Sequence, residues 1–446
     1  MKRVSVINLG CPKNQVDSEV ISGLFLFSSK FELISSPEDA EIIVVNTCGF
    51  IEDAKRESLD VIFEMAEFKK EGKCEKLYVI GCLAQRYGKE LLKEIPELDG
   101  VLGDGDLVKT VNLITNHSDK NINEKKIYTN KKVQDFIYSD EMPRNRFGPK
   151  HFAYLKIAEG CDNCCSYCAI PLIKGRYRSR TIESIVKEAR KLALEGVKEI
   201  ALVAQDTTRY GLDYYGELRL ASLLRELVKI EGLEWIRLLY CYPDVFTDEM
   251  VEIMASESKI CKYVDLPLQH ADNQILQKMN RRNTVEEALA LISNLRKAIP
   301  EIFIRSTFIT GFPGETEQQF QNLLNFIRET KLDRVGVFAY SEEDNTPAAK
   351  MPDQIPVSIR EKRKNMVMEL QADLAYDIQQ KRVGKNIRAI LEERISDKVW
   401  LGRTEGDAPE IDGQIFLEGA VNHTVGDIVT ARITKADSYD FEGRIL

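Results

Sequence analysis

Apolar strand-like runs and amphipathic helix-like stretches alternate twice along these 446 residues, and that alternation leaves few folds open. RVSVINLG (3–10), EIIVVNTC (41–48) and EKLYVIGC (75–82) read as buried strands, with helical spacing between them over 14–27 and 53–68. Strand–helix alternation of this kind predicts an α/β unit, a doubly wound parallel sheet over residues 1–116. A polar stretch rich in Asn and Lys (117–150), ending MPRNRFGPK, reads as a linker. A second alternation fills 151–350. Strand candidates at 152–160, 199–206, 235–243, 263–270, 303–312 and 334–341 make six β/α units, short of the eight of a closed barrel. The expectation is an incomplete (β/α)6 barrel whose lateral opening suits a bulky substrate. Residues 351–382 read as a Pro-punctuated linker and a helix. NIRAILEE, KVWLGRTEG, GQIFLEG and DIVTARITKAD then predict a small all-β barrel over 383–446.

No stretch approaches the ~18 apolar residues of a membrane span, and the N-terminus runs straight into a strand with no secretory leader pattern. A cytoplasmic protein is expected. That matters for the ten cysteines, because clustered thiols in a reducing compartment read as metal or redox sites and not as disulfides. The net charge of −9 disfavours a broad grip on nucleic acid phosphates and is compatible with a basic protein partner.

CDNCCSYC (161–168) is the densest motif, placed just after the first strand of the second unit. Cys161, Cys165 and Cys168 have the spacing C-x-x-x-C-x-x-C. Three thiolates in so short a loop can take three corners of a 4Fe–4S cube and leave the fourth iron open. An open iron can chelate the amino and carboxylate groups of S-adenosylmethionine (SAM). This spacing is the radical SAM signature, and Tyr167 takes the aromatic position before the last cysteine. Cys164 adds a fourth thiol that could replace Cys165 in an alternative register, and a structural zinc loop is the rival metal reading.

Cys11, Cys48 and Cys82 each follow directly on an apolar run, and each adjoins a glycine: Gly10, Gly49 and Gly81. In a parallel sheet those are the carboxyl ends of neighbouring strands, the edge where open α/β sheets bind ligands. The three thiols are expected to converge on a second three-cysteine cluster; three unrelated core cysteines are the alternative. Cys74 precedes its strand, and Cys241 and Cys261 read as small buried hydrophobes.

The chain resembles the methylthiotransferase family of radical SAM enzymes along nearly its whole length. NLGCPKNQVDSE, VNTCGFIEDAK and GCLAQRY look like its N-terminal domain, KIAEGCDNCCSYCAIPLIKGRYRSR its radical SAM loop, FITGFPGETE and DLPLQHADNQIL other strand ends of the barrel, and the C-terminal segment its TRAM domain. AQDTTRYGLDYYG, YCYPDVFTDE, VGVFAYSEEDNTPAA and GRTEGDAPEIDG resemble the branch that modifies an aspartate of small-subunit ribosomal protein S-twelve; the other large branch modifies an adenosine in tRNA. Residues 376–446 carry 10 Lys or Arg against 13 Asp or Glu, a net of −3 that suits a basic ribosomal protein better than a phosphate backbone.

The resemblance implies two 4Fe–4S clusters and two SAM molecules per turnover, one as radical source and one as methyl donor. An aspartate Cβ hydrogen is removed as an atom, since no side-chain base removes it easily as a proton, and the carbon then takes a methylthio group from the second cluster. It also implies a flavodoxin- or ferredoxin-like electron donor and a sulfur source, with no membrane and no required nucleic acid contact. Tyr167, Gln205, Asp206, Gly311 and Glu315 sit where the cofactor should lie, and His270 where substrate should. Each has a structural alternative: Gln205 as a loop tie, GFPGE (311–315) as a tight turn, His270 as a satisfied core histidine. A two-cluster electron carrier is the reading from another class.

Overall fold

The runs RVSVIN, IIVVNT and KLYVIG are rich in β-branched residues and too short for helices, and each forms a strand. The computed structural model describes residues 1–119, 126–128, 136–419 and 422–446. In it β1 (Lys2–Asn8), β2 (Phe31–Leu33), β3 (Ile42–Thr47), β4 (Lys76–Gly81), β5 (Gly100–Leu102) and β6 (Lys126–Tyr128) form one parallel sheet in the order β2-β1-β3-β4-β5-β6. The connections include α1 (Pro12–Phe27), α2 (Glu52–Glu71), α3 (Cys82–Glu94) and α4 (Leu107–Asp119). Val16, Val20 and Phe25 of α1 and Ile114 of α4 cover one face of the sheet, and Ile62 and Met65 of α2 with Leu83 of α3 cover the other. Burial on both faces explains why these strands are apolar without alternation.

The segment 117–150 is not wholly a linker. α4 continues to Asp119, and Lys126–Tyr128 adds a sixth strand at the sheet edge through parallel pairing with β5. Residues 120–125 and 129–135 lie outside the described residues. From 136 the chain runs as a strap across α1. Gly23 marks the crossing: a Cβ there would lie 2.4 Å from the Pro143 carbonyl oxygen.

β7 (Phe152–Lys156) opens the second unit. A short antiparallel pair, β8 (Ala158–Glu159) and β9 (Arg178–Ser179), brackets the CDNCCSYC loop. β10 (Glu199–Val203) and β11 (Trp235–Leu238) complete a parallel trio in the order β11-β10-β7; β12 (Tyr263–Gln269), β13 (Phe303–Thr310) and β14 (Arg334–Ala339) form a second trio in sequence order. A bridge between Ile236 and Ile260, and the Cys241 N–H donating to the Asp265 carbonyl at 2.9 Å, join the trios into one six-strand fan. α5 (Ile170–Lys174), α6 (Ile182–Leu194), α7 (Leu212–Tyr215), α8 (Leu220–Leu227), α9 (Asp248–Ser256), α10 (Asn273–Lys278), α11 (Val285–Ala298), α12 (Glu317–Thr330) and α13 (Val357–Gln380) connect and follow these strands. Outward residues such as Leu202, Leu238, Leu266 and Phe308 pack on this helical layer. Inward ones such as Tyr154, Arg237, Tyr263 and Arg305 face a lumen lined by aromatic rings and guanidinium groups.

β15 (Asn386–Arg394), β16 (Val399–Thr404), β17 (Ile415–Glu418), β18 (Ile428–Ala436) and β19 (Phe441–Ile445) close a five-strand barrel in the order β15-β16-β17-β19-β18. The reading from sequence has only four of these strands. FEGRI holds a glycine and two charges among its five residues, so its alternation is weak. The β16–β17 loop enters the lumen of the fan. Asp407 accepts from Arg334 at 2.7 Å, Glu410 from Tyr154 at 3.3 Å and Asp412 from Tyr263 at 2.9 Å, while Arg403 pairs with the fully buried Glu199. Among the described residues no helix is long and apolar enough to cross a membrane.

Candidate active site

The first thiol set lies where the sheet order reverses, between β1 and β3. Cys11 is the N-cap of α1, Cys48 directly follows β3, and Cys82 opens α3 after β4. The glycines make the approach close: a Cβ on Gly10 would sit 2.7 Å from Cys48 Cβ, and one on Gly49 would sit 2.9 Å from the Cys82 carbonyl carbon. Asn14 ties the loops together, its amide donating to the carbonyls of Leu9 (3.2 Å) and Thr47 (3.0 Å). Burial, with the Cys11 charge beside it, pushes the Cys48 thiol up to about 11, and Cys82 is held well above its ordinary value by burial, with Cys48 and Cys11 adding to the shift. Cys82 Sγ lies 3.8 Å from the Asn14 amide oxygen, so the strand-end loops that carry the three thiols gather around Asn14.

The second set, on the loop after β8, is built as tightly. Gly160, at φ +82°, admits the returning chain: a Cβ there would lie 2.0 Å from the Arg176 oxygen. Asn163 donates to Asp206 (2.7 Å) and accepts from Arg209 (2.8 Å), and Ser166 donates to the Lys278 carbonyl (2.8 Å). Burial pushes Cys161 up to about 12 and Cys168 higher, with Cys165 raising both. Cys165 Sγ lies 2.7 Å from the Tyr242 hydroxyl, and the Arg281 guanidinium stacks on that ring at 3.6 Å. Cys164 is exposed with φ +52°, and its carbonyl accepts from Asn280 at 2.8 Å.

The two units meet beside both sets. Cys82 packs against Ala169 and Ile173, immediately beyond Cys168 on α5. Around this contact lies a buried ion network that motif reading does not find. Lys156 pairs with Asp17 and with Glu159 (2.5 Å), and Lys174 with Asp104 (2.6 Å), joining α1 and the β5–α4 loop to the second unit. Its members are scattered polar residues inside strands and loops, and only the fold assembles them.

Of the predicted cofactor contacts, Tyr167 packs against a cluster holding Ile309, Phe312 and Tyr340. Asp206 is fully buried and bonded to Asn163, Thr208 and Arg209. Gln205 donates to Glu159 at 2.6 Å while its amide oxygen is buried without a partner. Glu315 accepts from the Gly311 N–H (2.6 Å), the Phe312 N–H (3.3 Å) and Arg363 (2.8 Å), so it holds the GFPGE turn. His270 is buried 3.6 Å from Glu315, with neither ring nitrogen hydrogen-bonded. Cys74, Cys241 and Cys261 are buried apart from both sets.

Both sets fit an iron–sulfur cube. Each offers three buried or half-buried thiols on neighbouring loops, held by glycine contacts and backbone bonds. Among the described residues no three His, Cys, Asp or Glu side chains close around a single ion, whereas a cube asks for a wider spread, one thiolate to each of three irons.

Comparison with known proteins follows these units. Residues 3–103 match Uncharacterized protein family UPF0004, residues 155–327 the Radical SAM superfamily and residues 383–446 the TRAM domain. The fold is similar to that of the radical S-adenosylmethionine methyltransferase TsrM from Kitasatospora setae, with a TM-score of 0.57, 17% identity, and 78% of this chain and 77% of that chain covered. A ribosomal protein uS12 methylthiotransferase RimO from Desulfitobacterium hafniense is 51% identical over 445 residues, covering 100% of this chain and 99% of the relative. Another from Clostridioides difficile is 44% identical over 446 residues, covering 100% and 99%. The chain belongs to the ribosomal protein uS12 methylthiotransferase RimO family.

Proposed function

We propose that this chain is a radical SAM methylthiotransferase that adds a methylthio group to Cβ of an aspartate in ribosomal protein uS12. One observation carries the reading: Cys82 of one thiol set packs against α5, the helix that begins just after Cys168 of the other, in a chain 51% identical over its whole length to a protein named for that activity. Cys161, Cys165 and Cys168 would hold one 4Fe–4S cluster and Cys11, Cys48 and Cys82 the other, each with one iron corner free of protein. When bound, these groups supply one-electron cleavage of SAM and a seat for the sulfur.

The chain's own residues supply position and shelter. Tyr242 and Arg281 fix Cys165, and Asn163 ties the loop to the end of β10. The Tyr167 ring would pack on the adenine. The unpartnered Gln205 oxygen and His270 nitrogens remain available to SAM or substrate, with Gly311 and Glu315 shaping the turn beside them. The six-strand fan is read as an incomplete (β/α)6 barrel, and its open side, between β7 and β14, would admit a protein loop and exclude bulk water once filled. A flavodoxin- or ferredoxin-like reductant and an external sulfur source complete the scheme.

Anaerobic reconstitution with iron and sulfide counting, then mass spectrometry of purified uS12 after reaction with SAM and reductant, tests the reading. A methylthio mass gain on one aspartate is expected. Gain on a tRNA adenosine and none on uS12 would overturn the substrate; a reconstituted protein that binds no SAM would return the electron-carrier reading.

A further inference from the structure

Several buried cations around the two units have carboxylate partners. Lys156 has Asp17 and Glu159, Lys174 has Asp104, Arg144 has Glu19 and Glu188, and Arg305 has Asp265 and Asp412. Lys13 breaks the pattern. It stands two residues after Cys11 in the first turn of α1 and is only 7% exposed, yet among the described residues no carboxylate pairs with it. Its ammonium lies instead over the Tyr240 ring, 3.4 Å from the centroid, hydrogen-bonded to that tyrosine's hydroxyl and close to the Cys11 sulfur. Glu159, a carboxylate near enough to act on it, is already bonded to Lys156 and Gln205.

Tyr240 is unusual too. It follows β11 at the carboxyl end of the fan and holds φ +60°, a left-handed conformation that a bulky residue adopts only under constraint. Its N–H donates to Asp265 at 3.0 Å and its carbonyl accepts from Thr207 at 3.0 Å, which fix that geometry. A strained tyrosine from one unit and a lysine without a carboxylate partner from the other thus meet beside Cys11. The Cys11 sulfur and the Tyr240 hydroxyl stand beside this buried ammonium, but neither supplies the charge-paired oxygens of a carboxylate, so one place for a carboxylate is left at its head.

Resting on the proposed function, we propose that Lys13 binds the side-chain carboxylate of the target aspartate. That carboxylate is bonded directly to Cβ, the carbon that takes the sulfur. An ammonium beside Cys11 and facing the strand ends of the fan would seat Cβ between the two triads. Lys13 is in this sense a substrate-positioning residue, and Tyr240 orients it.

The test is a binding cycle on reconstituted enzyme. It uses wild type, Lys13→Met and Lys13→Arg, each titrated with uS12 and with uS12 carrying Asn at the target aspartate. Losing either charge should weaken binding about tenfold or more, and losing both should weaken it no further. Lys13→Arg should recover part of the affinity. Lys13→Met should also form more 5′-deoxyadenosine per methylthiolated product, because Cβ is no longer held. Independent, multiplying losses would overturn the proposal. So would unchanged uS12 binding with a shifted reduction potential of the Cys11 cluster, which would assign Lys13 to the bound sulfur instead. Should Lys13→Met fail to retain iron, wild type binding the Asn form as tightly as the Asp form still overturns it. A wild type that modifies another substrate and not uS12 sinks the functional reading, and this inference with it.

Discussion

Gly10 sits at φ +89° with Cys48 packed where a side chain would go. Two costs follow from adding one methyl: a left-handed conformation, about 1 kcal/mol, and a push on Cys48. Gly10→Ala should therefore fold but lose about half its iron, since only the Cys11 set is displaced. Iron counting with electron paramagnetic resonance checks this. The thiols divide the labour. Cys11→Ala should keep SAM cleavage and lose sulfur transfer, and Cys165→Ala should lose SAM cleavage itself; methylthiolated product from Cys11→Ala would refute the division. At this scale the placement of Cys11, Cys48 and Cys82 at neighbouring strand ends is legible in the sequence, because each follows directly on an apolar run. Lys13, Tyr242 and Arg281 are poorly legible there. Their roles come from what stands opposite them in space, and nothing local marks a lysine as lacking a carboxylate partner.

Among the elements, the strap of residues 136–150 was the least legible. A polar, Pro- and Gly-bearing stretch has no periodicity to read, yet Arg144 in it bonds Glu19 of α1 (2.6 Å), Glu188 of α6 (2.8 Å) and the Tyr154 carbonyl (2.8 Å). Glu19 and Glu188 are both buried, and Arg144→Met would leave Glu19 with no guanidinium and Glu188 with Arg180 alone, at a cost of about 3 kcal/mol, seen as a lower midpoint in urea. Glu188 also carries a pH signature. Burial pushes its carboxyl up, but Arg180 and Arg144 together outweigh burial and hold it below the usual carboxylate range. A depressed acid stabilises the fold fully above the unfolded value near 4.5 and loses that contribution as pH falls through the lower folded value. Glu188→Gln should accordingly flatten the acid limb of the stability curve below pH ~4.5, measured by denaturant midpoints across pH. The strands of the second unit were easier to place, because each apolar run is flanked by amphipathic helices whose period differs from its own.

Over the whole molecule, composition and charge place an acidic β-barrel at the C-terminus, but its depth of engagement is a tertiary fact. The β16–β17 loop carries Asp407, Glu410 and Asp412 into the lumen, and Ala408 packs with Trp235 and Tyr263. Arg403 and Arg237 share Glu199, which is wholly buried. The barrel is thus the floor of the fan and not an appendage on a linker. Glu410 and Ile411 at the loop tip remain exposed, with Glu410 accepting from Tyr154 of β7. Truncation after Gln380 discriminates between floor and appendage. An appendage would leave the first 380 residues folded and able to hold both clusters. Removing a floor leaves Glu199 with one of its two guanidinium partners and opens Trp235, Tyr263 and Phe303 to water. The expected outcome is an aggregation-prone chain with a lower thermal midpoint and incomplete iron loading, measured by light scattering, calorimetry and iron counting. Full loading and an unchanged midpoint would return the barrel to the status of a separate module.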